Sequence, residues 1–439
     1  MIPSIQQTQV EKVSRTGMFF LSILILSFSY EIPVINLTGY YRLNPRLFDL
    51  TAFLLFIYWL FAGRRFGWRV NISRKIIKYW VIINAFFAVA TLFSIAWLPM
   101  GRYYFSLFYL IKYAEILIVI LLFNSAPLTK KQTHYLLKIC LLGGLWVASY
   151  ALLQYFGILS TQRYLPSGAE IPKLENGIYS SLGTTYFHLG MFSVLICCLG
   201  FVNYYSKINI FQKILTVFII LMSVSSALVS GSKGAAIGVA MVMSLLVLQK
   251  PFRTKIGVYV LIVIVIVVGI FVFNRSITKI RIQKGHGGTP IQRFVHGFHT
   301  LQLAYETHGP KLLLVGGGFY SVPLRDKKTG KLHYRVGYGN HNIYLFPLEQ
   351  AGVGAFIASL LFWVAIYREL VAKCKDESLS NFSRLFASGM KTYLLPLICI
   401  GFAGQVFFLG FGTEHFTAYQ LILFNLAVKD GIDERETVL

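Results

Sequence analysis

The chain has 439 residues, of which 56% are hydrophobic, 16% aromatic and only 13% charged. Mean hydropathy is +0.63. Soluble domains carry about 25% charged residues, so a water-soluble fold, a disordered chain and a disulfide scaffold are all excluded. The net charge of +24 would suggest nucleic acid in a soluble protein. In a membrane chain, Lys and Arg collect in cytoplasmic loops, so position has to be read first.

A spanning helix needs about 20 mostly apolar residues. Twelve runs qualify: 17–35, 47–62, 76–98, 103–124, 133–156, 181–205, 209–229, 233–249, 256–274, 341–367, 386–409 and 412–428. The second, eighth and twelfth are short. The first has no small-residue cleavage site after it and is followed by more spans, so it reads as a span rather than a signal peptide. The expectation is an all-α polytopic integral membrane protein of about 12 transmembrane helices, one domain over 1–439. With the N-terminus inside, the inner segments hold 21 Lys and Arg and the short outer loops hold 6. That asymmetry predicts both termini in the cytoplasm.

The five cysteines are Cys140, Cys197, Cys198, Cys374 and Cys399. Four lie in apolar runs and Cys374 in a Lys-rich loop. None has metal-ligand spacing, and they read as small apolar packing residues.

Between spans seven and eight, Val229-Ser230-Gly231-Ser232-Lys233-Gly234-Ala235 places one cation in a Gly/Ser turn at a helix start. Backbone N–H groups there favour anions. The bland alternative is a polar hairpin with a snorkelling lysine.

Residues 275–340 form the one long loop, expected outside. They contain 11 Lys and Arg against only Glu306 and Asp326, a net charge of +9. Long loops escape the charge rule, so the excess either means little or marks a site for an anionic ligand. Within the loop, Thr289-Pro290 reads as an N-cap with proline at the first helical position. Phe294, Val295, Phe298, Leu301 and Tyr305 recur at helical spacing, predicting an amphipathic helix over 290–308 at the membrane surface or against the bundle. Arg293, in its first turn, carries the planar fork that matches phosphate. Gly316-Gly317-Gly318 then permits a tight turn or a close backbone approach.

The loop returns through Tyr338-Gly339-Asn340-His341-Asn342-Ile343-Tyr344-Leu345, with Glu349, Gly352 and Gly354 following. A histidine at that boundary, with an unperturbed pKa of about 6.5, can take or give a proton near neutrality. It can also be an ordinary histidine satisfied by the backbone at a helix start.

These features together resemble the O-antigen ligase and O-antigen polymerase superfamily of bacterial envelope enzymes. The ligase pattern is His-(Asn/Ser/Gln), nine residues, Gly, two residues, then Gly/Thr/Tyr. Here His341-Asn342 is followed by nine residues and Gly352, and Ala355 departs at the last position. The Ser-Arg-Gly turn of the superfamily reads Ser232-Lys233-Gly234, which keeps the charge and loses the bidentate geometry.

The resemblance implies transfer of a glycan from undecaprenyl diphosphate to an acceptor glycan, lipid A-core in the ligase case. The reaction would take place on the periplasmic face of the bacterial inner membrane. It implies fixed cations around the diphosphate leaving group: Lys233 and Arg293 first, Arg163 and Arg281 after them. His341 would be general base for the acceptor hydroxyl or a hydrogen-bond donor to the diphosphate. Asn342 and Tyr338 would be further substrate contacts. A single displacement inverts the anomeric carbon. No outer carboxylate cluster suggests a metal, so neither metal nor other cofactor is expected, and membrane lipids rather than nucleic acid are the expected surroundings. The nearest rival is a polymerase joining lipid-linked repeat units. A lipid-linked sugar transporter is the rival from another class, and would line a path with charge. This chain keeps most of its charge in loops, and the charges within the runs include Asp49, Lys112, Glu115, Lys138, Glu349 and Lys391.

Three of these have their own readings. Lys112 and Glu115, three apart, share a helix face and can neutralise each other. Asp49 has no assignment. Among other outer groups, Glu170, Glu175, and Glu414 with His415, read as solvated or capping.

Overall fold

The computed structural model describes residues 12–31, 45–63, 68, 74–97, 103–159, 178, 180–182, 186–206, 208–248, 290–318, 324–325, 332–333, 342–401 and 414–429. It is an all-α membrane protein. The first apolar helices are α1 (Arg15–Ser27), α2 (Leu47–Phe61), α3 (Lys75–Trp97), α4 (Tyr103–Ser125), α5 (Lys130–Tyr155), α6 (Tyr186–Tyr205), α7 (Ile210–Val229) and α8 (Lys233–Leu248). After them come α9 (Pro290–His308), the single turn and a half of α10 (Pro310–Val315), α11 (Leu345–Lys375), α12 (Asn381–Gly401) and α13 (Glu414–Val428). Among the described residues the only strands are the two-residue pair β1 (Leu324–Arg325) and β2 (Leu332–His333), antiparallel with Leu324 opposite His333. The apolar run at 256–274 lies outside the described residues.

Six helices, α3, α4, α5, α6, α7 and α11, are long and apolar enough to cross a bilayer. The shorter apolar helices include α1, α2 and α13, of 13, 15 and 15 residues. At about 1.5 Å per residue these reach only some 20–23 Å.

Polar residues at the helix starts satisfy the first backbone donors. The Ser14 hydroxyl accepts from Gly17 N–H at 3.1 Å, and Asn209 accepts from Gln212 N–H at 2.8 Å. Thr129 and Gln132 form a reciprocal capping box on α5.

Helices α1 to α8, and again α11 to α13, run alternately up and down, and contacts at both ends fit that arrangement. At one end, here the upper, Glu31 N–H donates to the Ser181 carbonyl at 3.0 Å and Ile343 N–H to the Gly401 carbonyl at 3.0 Å. At the lower end, Gln132 Nε2 donates to the Val13 carbonyl at 2.8 Å, and His134 Nε2 lies 3.1 Å from Asn203 Oδ1. Lys429, just past α13, donates there to the carbonyls of Asn124, at 2.8 Å, and Ala126, closing the last turn of α4. Burial, with the Arg74 cation adding to it, pulls the Lys429 ammonium down to about 7.

The central helix is α6, 83% of whose apolar window is buried, against half or less for the other five long helices. In a membrane, close packing rather than the hydrophobic effect joins helices, and small residues allow it. Gly190 of α6 sits directly against Ala235 of α8, Gly144 of α5 against Ile196 of α6, and Gly354 of α11 against the ring of Phe86 on α3. Cys140, Cys197 and Cys198 are buried packing residues, whereas Cys399 is exposed. Cys374 stands in the last turn of α11 rather than in a loop, because that helix continues to Lys375.

Candidate functional site

The upper end collects the segments singled out in the sequence. Ser230-Gly231-Ser232 turns the chain from α7 into α8. The Ser232 hydroxyl accepts from Ala235 N–H at 3.2 Å, and the Ser232 carbonyl from Ala236 N–H at 3.1 Å. Ser232 is therefore the N-cap and Lys233 the first residue of α8. The turn packs on Gly190, where an added Cβ would lie 3.3 Å from the Ser230 hydroxyl. The Lys233 side chain lies outside the described residues.

Asn342 caps α11. Its buried Oδ1 accepts from Tyr344 N–H at 2.8 Å and Leu345 N–H at 3.2 Å. The sequence reading made Asn342 a substrate contact; the geometry gives its side-chain oxygen this capping task. The α11 start reaches the α8 start through the end of α12. Ile343 presses on Gly401, and an added Cβ on Gly238 of α8 would lie 3.2 Å from Ile400 Cδ1. The Ser-Lys-Gly turn and the Asn342 cap thus flank one helix end.

α11 is broken about two turns in. Gly352 has φ 77° and ψ −175°, so the ladder of hydrogen bonds stops there. A helix interrupted in this way leaves carbonyls that need new donors. The glycine triplet supplies them. Gly317 N–H donates to the Glu349 carbonyl and Gly318 N–H to the Gln350 carbonyl, both at 2.9 Å. The approach is so close that a Cβ on Gly352 would lie 2.5 Å from the Leu314 carbonyl oxygen. Gly316, at φ 84°, leaves no room for a side chain against the Ala351 backbone. The glycine that the ligase pattern asks for is the break point of α11.

α9 begins at Pro290, the predicted first helical position. Gly297, Thr300 and Ala304 are buried, and Val295, Phe298 and Tyr305 are exposed on the other side. Arg293 is in its first turn, with its side chain outside the described residues. His341, Tyr338, Arg163 and Arg281 lie wholly outside them, as do Glu170 and Glu175.

A second polar group at this level was not assembled from the sequence. The guanidinium of Arg46, just before α2, lies 3.4 Å from Glu31 Oε2 and 2.9 Å from His415 Nδ1. His415 Nε2 is 3.2 Å from Asp49 Oδ1, and Asp49 also pairs with the ammonium of Lys112. Lys112 reaches on to Glu115 Oε2 at 3.0 Å. Asp49 Oδ2 accepts from the Arg46 backbone N–H at 2.7 Å, so the same carboxylate closes the first turn of α2. Six ionisable side chains from α1's exit, α2, α4 and α13 form one chain of contacts. The Lys112–Glu115 pair expected from spacing is its last link.

His415 is 1% exposed and its ring packs 4.6 Å from that of Phe48. This corrects the reading of His415 as a solvated or capping group. An unpaired charge in hydrocarbon is costly, so the partners come from four separate segments. The signals in the sequence were Asp49 and Glu31, carboxylates inside apolar runs. Among the described residues, no group of three or more His, Cys, Asp or Glu is placed to hold a metal ion.

No family model and no curated protein matches the chain.

Proposed function

We propose that this membrane protein is a glycosyltransferase of the O-antigen ligase type. It moves a glycan from undecaprenyl diphosphate to an acceptor glycan, with lipid A-core as acceptor, at the periplasmic face of the bacterial inner membrane. One observation supports the reading most. The capped start of α8, beginning with Lys233, and the capped start of broken α11, one residue after His341, flank the same end of α12.

In this reading the acceptor hydroxyl oxygen attacks the anomeric carbon and its proton passes to His341. The bond from that carbon to the diphosphate breaks, and the electron pair leaves with the lipid diphosphate. Lys233 and Arg293 hold the charge that develops there, with Arg163 and Arg281 around them. The product is inverted. The reaction takes its energy from the diphosphate bond and needs no nucleotide.

The test is reconstitution in proteoliposomes with undecaprenyl-diphosphate glycan. Lipid A-core is offered as acceptor in one arm and a second donor molecule in the other. Product in the first arm is the expected result. Product in the second arm alone makes the protein a polymerase. No product in either arm, from protein that remains folded, removes the transferase reading.

A further inference from the structure

The lower end of the α3–α11 seam carries cations, and we infer that it seats the headgroup of an anionic phospholipid. Two contacts define the seam. Midway along α3, Phe86 meets Gly354, and at the lower end Glu369 accepts a hydrogen bond from Ile76 N–H. Around Glu369 stand Arg74, Lys75 and Lys373, close enough to act on its charge. Lys78, Arg368 and Lys375 add to them, and all three are exposed, as is Lys75. Among the described residues beside the lower end of the seam, the acids are Glu369, Asp376 and Glu377, against the six cations just named. Asp376 is already engaged by the Ser378 hydroxyl and backbone N–H.

The placement of these cations distinguishes them from ordinary loop charge. On α11, the exposed residues Ile357, Leu361 and Val364 continue at helical spacing into Arg368. On α3, the exposed residues Phe93, Val89 and Phe86 continue through Ile82 into Lys78 and Lys75. Each helix therefore presents one continuous outward face, apolar for most of its length and cationic at its lower end. The two faces lie side by side along the seam. A lipid whose acyl chains lie on them brings its phosphate to Lys75, Lys78 and Arg368. Each such cation near an anionic headgroup adds about 1 kcal/mol. A zwitterionic lipid gains far less, because its own cation offsets the phosphate.

The experiment uses the full chain in detergent, titrated with phosphatidylglycerol or phosphatidylcholine and read by native mass spectrometry and melting temperature. Wild type is expected to retain phosphatidylglycerol preferentially and to melt higher with it. In Lys75→Gln/Lys78→Gln/Arg368→Gln, the apparent dissociation constant for phosphatidylglycerol should rise roughly 100-fold. Melting in phosphatidylcholine should not change, because the three side chains are exposed. The charge-keeping variant Lys75→Arg/Lys78→Arg/Arg368→Lys should bind like wild type. Wild type that retains both lipids equally overturns the inference. So does an equal loss in the control Lys12→Gln/Lys213→Gln, which removes cations elsewhere. An equal effect from soluble glycerol 3-phosphate also overturns it, since the acyl stripes would then contribute nothing.

Discussion

Arg46 donates to His415: Nη1 of the guanidinium lies 2.9 Å from Nδ1 of the imidazole. A guanidinium has no acceptor. Nδ1 is therefore the lone-pair nitrogen, and the ring proton sits on Nε2, facing Asp49 Oδ1 at 3.2 Å. His415 acts as a relay of polarity between a cation and a carboxylate. His415→Phe keeps the ring against Phe48 but removes both the acceptor and the donor. It should lower stability by about 3 kcal/mol, read by denaturation in mixed micelles. Wild-type stability in that variant would show that the chain of contacts contributes nothing.

The Asp49–Lys112 link makes a sharper prediction through a double-mutant cycle. Asp49→Asn leaves Lys112 with Glu115 alone, and should cost about 3 kcal/mol. Lys112→Met leaves Asp49 and Glu115 facing each other with no ammonium between them, and should cost at least as much. The double variant should be more stable than the sum of the two losses implies. Strict additivity would count against direct coupling.

Gly352→Ala puts a side chain where φ is 77° and the Leu314 carbonyl stands 2.5 Å away. Backbone strain of this kind costs about 1–3 kcal/mol. The loop strand that carries Gly317 and Gly318 should detach first. Limited proteolysis should then cut near the glycine triplet faster than in wild type, while Gly157→Ala, which carries similar backbone strain (φ 75°) but no close approach and lies at the end of α5, should leave the cutting rate at the triplet unchanged.

Lys429 gives the pH prediction. Its folded pKa, about 7, is below the usual lysine value of 10.5. Between those two values the unfolded chain binds more protons than the folded one. Stability therefore rises as pH increases from about 7 towards 10.5, and is flat below 7. The neutral amine still has two N–H groups for the carbonyls of Asn124 and Ala126. Melting temperature followed from pH 6 to pH 9.5, approximate limits that bracket the window, should climb in wild type and climb less in Lys429→Met. Parallel curves would remove Lys429 as the cause.

For the proposed reaction, His341→Ala should abolish glycan transfer at near wild-type expression and melting temperature. Lys233→Arg should retain transfer, whereas Lys233→Ala and Arg293→Ala should lose most of it. Chelation should leave the rate unchanged. Transfer by His341→Ala at the wild-type rate contradicts its role as base. A rate lost to chelation and restored by magnesium contradicts a metal-free step.

The helices were legible because hydropathy reports removal from water, whether lipid or protein does the removing. The run at 209–229 became Ile210–Val229 with Asn209 as its cap, and 47–62 became Leu47–Phe61. Pro290 marked the first residue of α9. The lower end of α11 was less legible. The apolar run ends at 367, yet the helix continues to Lys375, because a helix leaving the membrane can carry Arg368 and Lys373 in water.

Two features had no local signature. The break at Gly352 depends on the donors of Gly317 and Gly318, over thirty positions earlier in the chain. Among the side-chain links of the ionic chain, only Lys112–Glu115 lies within one helix turn. His415 and Asp49 are 366 residues apart, so spacing rules could not pair them.

That separation also governs how the protein must be made. A ribosome delivers Asp49 to the translocon 63 residues before Lys112, and 366 before His415. α2 therefore enters the bilayer with its carboxylate held only by the Arg46 backbone N–H, before its charged partners have emerged. Arg46 waits for its histidine until the last described helix emerges. Assembly of the upper end is thus a late, post-insertion event, and a nascent chain stopped before α13 should be a natural target for membrane quality control.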